Sequence, residues 1–139
     1  MIPGTILLHY QFQFDDGESK DKFLIVLNDG EHGQYLCALV TSKQHNKGTK
    51  YGCQDCDRPP NFFLPVHSTP LKKNSWVLFD RLLTYQSDDL KQKVVNGKAL
   101  RFAILAPNIV DDLIDCASDS DDILDRERDI LIDMLTKGK

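Results

Sequence analysis

The sequence lacks the long apolar runs and the short signature motifs that mark several large protein classes. No apolar segment approaches the roughly 20 residues that a membrane-spanning helix needs. The N-terminal stretch MIPGTILLHY has no basic residue before its short apolar run. We therefore expect no signal peptide, no membrane partner and a cytoplasmic location. There is also no Gly-rich phosphate loop, no G-x-S-x-G and no H-E-x-x-H, so no motif points to a P-loop enzyme, a serine hydrolase or a zinc peptidase.

Cysteine is sparse, and its spacing gives little support for a metal site. Cys53 and Cys56 form a C-x-x-C with no second pair, whereas structural zinc usually takes four ligands, often from two such pairs. This pair is a weak metal candidate that would need His45 and His67, and we expect no metal and no cofactor. A thioredoxin-like redox role requires a βαβ context that the sequence does not show. A polar surface loop that can form a disulfide after oxidation is the simpler interpretation.

The bulk composition fits a single globular domain. The chain has 139 residues, of which 41% are hydrophobic and 27% are charged. Cys37 and Cys116 lie in apolar segments and are predicted to be small, reduced core residues. The net charge of −4 is uneven, because residues 107–139 hold 10 of the 21 acids and only 4 of the 17 bases. We interpret this acidic end as a solvated helical face, or alternatively as a segment that competes with a polyanion bound elsewhere.

The first two thirds of the chain alternate short apolar runs with turn residues, which is typical of β-strands. Strands are predicted in GTILLHYQF, KFLIVLND, QYLCALVTS, FFLPVHS, SWVLFDRLLTY and ALRFAIL, with a short helix at DDLKQK. From Pro107 onward the apolar spacing becomes helical, and a second helix follows SDSDD, with Glu127 interrupting its apolar face. The pattern predicts a β-rich α+β fold, with a small β-barrel or curved sheet over residues 1–117 and an acidic helical extension over residues 118–139.

A long polar connection, KQHNKGTKYGCQDCDRPPN, separates two of the predicted strands. It interleaves cations with amides and an aromatic ring, a combination that suits contacts to phosphates and bases. The cations are Lys43, Lys47, Lys50 and Arg58. Because Asp55 and Asp57 lie in the same loop, a solvated loop without a ligand is the alternative. Loops of this length in compact domains are more often functional or mobile than inert.

Several short motifs follow one another in a particular order. They are Gly4-Thr5-Ile6-Leu7, the apolar strand from Lys22 to Asn28, Val40-Thr41-Ser42, Ser75-Trp76-Val77-Leu78, Thr84 and Ser87–Leu90. Over residues 1–117 this order resembles the PemK/MazF family of toxin–antitoxin ribonucleases. Two positions differ from the family: Lys22 stands where it has the Arg of an R-P motif, and Leu83 stands where it has a later Arg. Arg81 lies two residues before Leu83, which on a strand is the same face.

The resemblance implies a small SH3-like, PemK/MazF-type β-barrel with two C-terminal helices, usually as a homodimer. It also implies metal-independent cleavage of single-stranded RNA, in which the 2′-OH attacks the adjacent phosphorus and leaves a 2′,3′-cyclic phosphate. Lys22 and Thr41 stand at the family's catalytic positions, and an acidic antitoxin protein is a possible partner. The expected RNA contacts are Ser42, Lys43, Gln44 and Arg81.

Two other interpretations stay open at this point. A catalytically inactive member of the same fold would bind RNA or a protein partner without cleavage, because Lys22 supplies charge but lacks the planar bidentate fork of arginine. The chain would otherwise be an unrelated small β-barrel that serves as an interaction domain. Cleavage of RNA in the presence of EDTA separates the first interpretation from the other two.

Overall fold

The structure is a computed structural model, and it describes residues 1–54 and 56–137. In chain order its elements are β1 (Thr5–Gln13), β2 (Ser19–Val26), β3 (Gln34–Thr41), β4 (Gly52–Gln54), β5 (Asn61–Leu64), β6 (Ser75–Leu78), β7 (Leu83–Gln86), α1 (Ser87–Val95), β8 (Ala99–Ile104), α2 (Pro107–Ser118) and α3 (Asp125–Lys137). A short 3₁₀ turn covers Val66–Ser68. None of the helices described has the length and apolar character that crossing a membrane requires.

Strand β3 is the centre of an antiparallel sheet. One edge of β3 pairs with β2, and its other edge pairs first with β7 and then with β6. The sheet continues from β6 to β5 and β4, and from β2 to β1 and β8. Within the described part of the chain β4 and β8 do not pair with each other, so the sheet is not closed. The predicted β-rich α+β fold is confirmed, and two helices follow the last strand.

Three segments differ from the strand predictions. SWVLFDRLLTY forms two strands, because β6 and β7 pair with successive stretches of the same edge of β3. Strand β5 ends before Pro65, which has no N–H to donate to a neighbouring strand, and a 3₁₀ turn follows. Strand β4 lies inside the connection that the sequence presents as irregular, and there Gly52 pairs with Phe63 of β5.

The core consists of two apolar clusters, because side chains alternate between the faces of the sheet. The larger cluster joins the sheet to α2 and α3, and its members include Ile6, Ile25, Leu36, Phe62, Val77, Leu113, Ile130, Leu131 and Met134. The smaller one is Leu7, Leu24, Val26, Tyr35, Cys37 and Leu90, the last from α1. Since α3 contributes to the larger cluster, residues 118–137 share one core with the strands.

The acid that interrupts the apolar pattern of α3 has a structural role. Glu127 is 4% exposed, and one of its carboxylate oxygens accepts a hydrogen bond from the backbone N–H of Leu124 at 2.9 Å. The Thr84 hydroxyl donates to the other oxygen at 3.4 Å. Because α3 begins at Asp125, Glu127 is the third helical residue and satisfies an N–H at the helix start, as in a capping box.

Replacing Glu127 with alanine is expected to lower the free energy of unfolding by about 1–2 kcal/mol, because the N–H of Leu124 at the helix start loses its acceptor. Urea denaturation followed by circular dichroism measures the change. Asp129→Ala, on an exposed position of the same helix, is the matched control and should change stability by less than about 0.5 kcal/mol. Equal losses in the two variants would contradict the capping role.

The cysteine predictions are partly wrong. Cys53 of β4 and Cys116 of α2 form a disulfide with their Cα atoms 5.5 Å apart, so neither is a reduced residue. The two cysteines are 63 positions apart, and their pairing depends on α2 lying beside β4, which no local pattern shows. Cys37 is buried and free, as predicted, and burial raises its pKa to about 12. Cys56 is free and exposed.

Candidate functional site

The central strands β2 and β3 separate at one end of the sheet. Strands β2 and β3 pair from Val26↔Cys37 to Leu24↔Leu39, and no pair follows. Beyond that point β2 stays paired only with β1, and β3 pairs with β6 through Thr41↔Trp76. The diverging strand ends leave a crevice between them.

The crevice has a volume of about 420 Å³. Its lining residues are Asp21, Lys22, Phe23, Val40, Ser42, Leu71, Lys72, Lys73, Ser75 and Phe102. They come from the start of β2, the end of β3, the turn before β6 and the middle of β8. Four segments distant in sequence therefore meet at the place where β2 and β3 part.

The crevice is basic. Among the described residues, its lining includes three lysines, Lys22, Lys72 and Lys73, and one acid, Asp21. The Asp21 carboxylate is already engaged, since it accepts a hydrogen bond from the backbone N–H of Gln11 at 3.0 Å. Three ammonium groups facing one carboxylate favour a negatively charged ligand.

Lys22 lies at the rim of the crevice and is half-buried. Its ammonium nitrogen is 6.0 Å from the centroid of the Phe14 ring. Burial lowers the pKa of Lys22, and the positive charges of Lys20 and Lys43 lower it further. A lysine with a lowered pKa gives up its proton more readily than a free lysine, which suits proton transfer to a leaving group.

Thr41 shares a face of the sheet with Lys22. Each lies two residues beyond the last β2–β3 pair, Leu24↔Leu39, so both side chains leave the sheet on the side of that pair. The Thr41 hydroxyl oxygen accepts a hydrogen bond from the backbone N–H of Lys43 at 3.1 Å, which leaves its own proton free to be donated. The structure thus brings the two predicted catalytic residues to the same strand ends, but Thr41, unlike Lys22, is not among the residues that line the crevice.

The predicted RNA contacts that follow Thr41 divide into two groups. Ser42 is exposed and lines the crevice, and the charge of Lys43 is felt by Lys22. Gln44 is also exposed but does not line the crevice, and its side-chain amide donates to the Lys47 carbonyl at 3.0 Å. The buried Lys47 ammonium in turn donates to the carbonyls of Lys43 and Gln44 at 3.3 and 3.2 Å, which closes the loop on itself.

Arg81 is not among the residues that line the crevice. Its guanidinium lies 3.1 Å from the Asp15 carboxylate, in the turn between β1 and β2, and both side chains are largely exposed. An exposed ion pair of this kind contributes little stability, so the contact holds Arg81 only weakly. The structure therefore does not bring Arg81 into the crevice.

Two aromatic rings form one wall of the crevice. The rings of Phe23 and Phe102 meet edge to face, with centroids 5.0 Å apart. Phe102 is 37% exposed, so its ring remains available for contact with a ligand. Aromatic rings beside cations are the usual platform for unpaired bases.

The C-x-x-C does not form a metal site in the structure. Cys53 is bonded to Cys116 and has no thiolate to offer a metal. Across residues 1–54 and 56–137, no group of three or more His, Cys, Asp or Glu side chains could hold a metal ion.

Sequence reasoning missed Lys72, Lys73 and Phe102 as site residues. The two lysines lie in TPLKKN, which reads as an ordinary turn, and Phe102 lies in a strand that reads as core. The pair of adjacent lysines shortly before the predicted strand at Ser75 was the sequence signal that could have indicated an anion-binding site. A scan against protein-family models finds no match for the chain, and a search of curated proteins finds none at a significant level.

Proposed function

We propose that the crevice between β2 and β3 binds single-stranded RNA and that the protein is a PemK/MazF-like, metal-independent endoribonuclease. The observation that carries the proposal is the composition of the crevice: three lysines against one engaged acid, beside an exposed aromatic ring. Lysines neutralise phosphates, and a ring accepts any base by stacking. The SH3-like barrel type of the fold belongs to the same proposal, supported by the single sheet in which one edge of β3 pairs with β7 and then β6, although its end strands β4 and β8, as described, do not pair.

The proposed reaction uses the strand ends as its catalytic centre. The 2′-oxygen forms a bond to the adjacent phosphorus while the bond from phosphorus to the 5′-oxygen breaks, which gives a 2′,3′-cyclic phosphate and a 5′-OH. The proton of the 2′-OH passes to water, and the Lys22 ammonium supplies a proton to the departing 5′-oxygen. The Thr41 hydroxyl donates to a non-bridging oxygen, where negative charge develops.

Purified protein incubated with a long single-stranded RNA in EDTA tests the proposal. We expect discrete fragments whose 3′ ends carry a cyclic phosphate and whose 5′ ends are free hydroxyls. Intact RNA at a large excess of protein would remove the nuclease proposal, as would fragments with 3′-hydroxyl ends.

A second candidate function is RNA binding without cleavage. This candidate is favoured because Arg81 pairs with Asp15 outside the crevice. Among the described residues, no arginine side chain lines the crevice. Under this candidate the oligonucleotide binds in the crevice and remains intact. The same incubation, followed by a binding measurement on the uncleaved RNA, separates the two functions.

Replacing Lys72 and Lys73 with glutamine is expected to reduce the salt dependence of RNA binding. Each lost phosphate contact lowers the slope of log K against log salt concentration by about 0.7 for a single strand, so the double variant should lose about 1.4. Filter binding at several salt concentrations measures the slope. Lys91→Gln, on an exposed part of α1 outside the crevice, is the control and should leave the slope unchanged. An unchanged slope in the double variant would exclude the crevice as the RNA path.

The proposal includes a homodimer, a cytoplasmic location where RNA is available, and an acidic antitoxin partner. The homodimer is supported by β8, an edge strand that exposes the apolar side chains of Leu100, Phe102 and Ile104. The antitoxin is supported by the basic crevice, which an acidic segment would fill.

A further inference from the structure

A second pocket lies beside the later half of β1 and shares no lining residue with the crevice. It has a volume of about 580 Å³. Its lining residues are His9, Tyr10, Gln11, Phe12, Gln13, Tyr85, Lys93, Gly97 and Lys98. They come from β1, from β7 and from the end of α1 with the turn that follows it. Nothing in the proposed nuclease reaction uses this pocket.

A β-bulge shapes the pocket. Opposite β2, the register of β1 changes from His9↔Lys22 to Phe12↔Lys20, so three steps on β1 span two on β2. Gln11, inside the bulge, has a φ of 51°, a conformation that is strained for a residue other than glycine. The bulge puts His9 and Phe12 on the same face, where their ring centroids are 5.5 Å apart.

His9 offers a hydrogen-bond acceptor to the pocket. It is 7% exposed, and its Nδ1 lies 3.0 Å from the carbonyl oxygen of Tyr10, so Nδ1 carries the proton and donates. Nε2 is then an acceptor, and no residue of the described chain donates to it. Burial lowers the pKa of His9, which keeps the ring neutral at neutral pH.

The lining also contains two cations and a phenol that can donate a hydrogen bond. Lys93 and Lys98 line the pocket together with no aspartate or glutamate, and neither forms an ion pair with any residue in the described ranges. The charge of Lys93 is close enough to His9 to lower its pKa. Burial, with a smaller contribution from Cys37, raises the pKa of Tyr85 to about 12, so its hydroxyl stays protonated and can donate.

We propose that this pocket binds a nucleoside monophosphate unit, either free or at the 5′ end of an RNA strand. The two lysines would hold the phosphate, the neutral His9 Nε2 would accept from a sugar hydroxyl or a base N–H, and the Tyr10 and Tyr85 rings would contact the base. A bare phosphate would leave the two tyrosine rings without a base to contact. A nucleoside without phosphate would leave both ammonium groups without a partner. The proposal does not depend on RNA binding in the crevice.

Titration of ¹⁵N-labelled protein with adenosine 5′-monophosphate, adenosine and inorganic phosphate tests the proposal, with the His9 ring nitrogens and the Gly97 amide as reporters. We expect saturable shifts with the nucleotide, and binding at least about tenfold weaker for adenosine and for phosphate alone. Lys93→Gln and Lys98→Gln should each weaken nucleotide binding by about five- to tenfold. Lys91→Gln, on the same helix but outside the pocket, is the matched control and should leave it unchanged.

His9→Phe keeps an aromatic ring but removes the Nε2 acceptor and also the Nδ1–H that donates to the Tyr10 carbonyl, so binding of inorganic phosphate by the same variant is the control for an intact pocket. It should weaken nucleotide binding while leaving phosphate binding unchanged. Phosphate binding as tight as nucleotide binding would overturn the proposal, as would nucleotide binding that survives both lysine variants or the absence of any shift at His9 and Gly97. A 5′-phosphorylated trinucleotide that binds more tightly than the mononucleotide would identify an RNA end as the occupant, and equal or weaker binding would identify the free nucleotide.

Discussion

Replacing Lys22 with alanine is expected to lower the rate of RNA cleavage by about 100- to 1,000-fold, the usual loss when one preorganised group that stabilises transition-state charge is removed. Lys22 lies where β2 and β3 separate. Its pKa is lowered by burial and by the positive charges of two neighbouring lysines. It therefore combines positive charge with a proton that is easily given to the 5′-oxygen. Single-turnover cleavage of a short fluorescent RNA measures the change.

Two further variants identify what Lys22 contributes. Lys20→Ala removes an exposed lysine from the same face of β2, two residues away, and should change the rate by less than about threefold. Lys22→Arg restores a cation whose planar fork matches a phosphate but whose proton is held much more tightly than that of lysine, so it should recover only part of the lost rate. Equal losses in Lys20→Ala and Lys22→Ala would mean that only the overall charge of β2 matters, and would contradict a catalytic role for Lys22.

Removal of the Cys53–Cys116 disulfide is expected to lower the free energy of unfolding by about 4 kcal/mol, because a bond that closes a loop of this length restricts the unfolded chain strongly. The bond joins β4 to α2 across a separation of 63 residues, and α2 belongs to the larger core cluster. Urea denaturation of Cys53→Ser, and of the unaltered protein with and without a reducing agent, measures the effect.

Cys56, an exposed cysteine outside the disulfide, provides the matched control. Cys56→Ser removes an exposed free thiol and should leave stability unchanged within about 0.5 kcal/mol. The reducing agent should destabilise the unaltered protein and Cys56→Ser equally, and should not affect Cys53→Ser. If the reducing agent leaves the unaltered protein unaffected, the disulfide does not form in solution.

Local sequence patterns predicted the strands and helices that are long and have a clear apolar periodicity. Strands β1, β2 and β3 are long and apolar, and α2 begins at Pro107 with a clear helical stripe. The patterns failed where partners distant in sequence determine the structure. Strand β4 is three residues long and exists because β5 lies beside it, and Cys116 is bonded to Cys53 because α2 packs near β4.

The candidate site, too, was predictable only where its residues belong to local motifs. Thr41 and Lys22 could be named from the order of motifs, and the register of β2 and β3 puts them on one face. The crevice itself could not be predicted, because Lys72, Lys73 and Phe102 reach it from a turn and a strand that lie far along the chain. The hydrogen bond from the Gln44 amide to the Lys47 carbonyl could not be predicted either, because it depends on the conformation of the loop after β3.

Mapping the RNA contact by NMR tests the central claim most directly. A short single-stranded oligonucleotide with 2′-O-methyl groups cannot be cleaved, so binding is measured apart from catalysis. We expect that adding this oligonucleotide to ¹⁵N-labelled protein shifts the amide signals of Lys22, Ser42 and Lys73 most strongly and leaves those of α3 unchanged. Shifts concentrated on α3 or elsewhere outside the crevice, or no shifts at all, would contradict it.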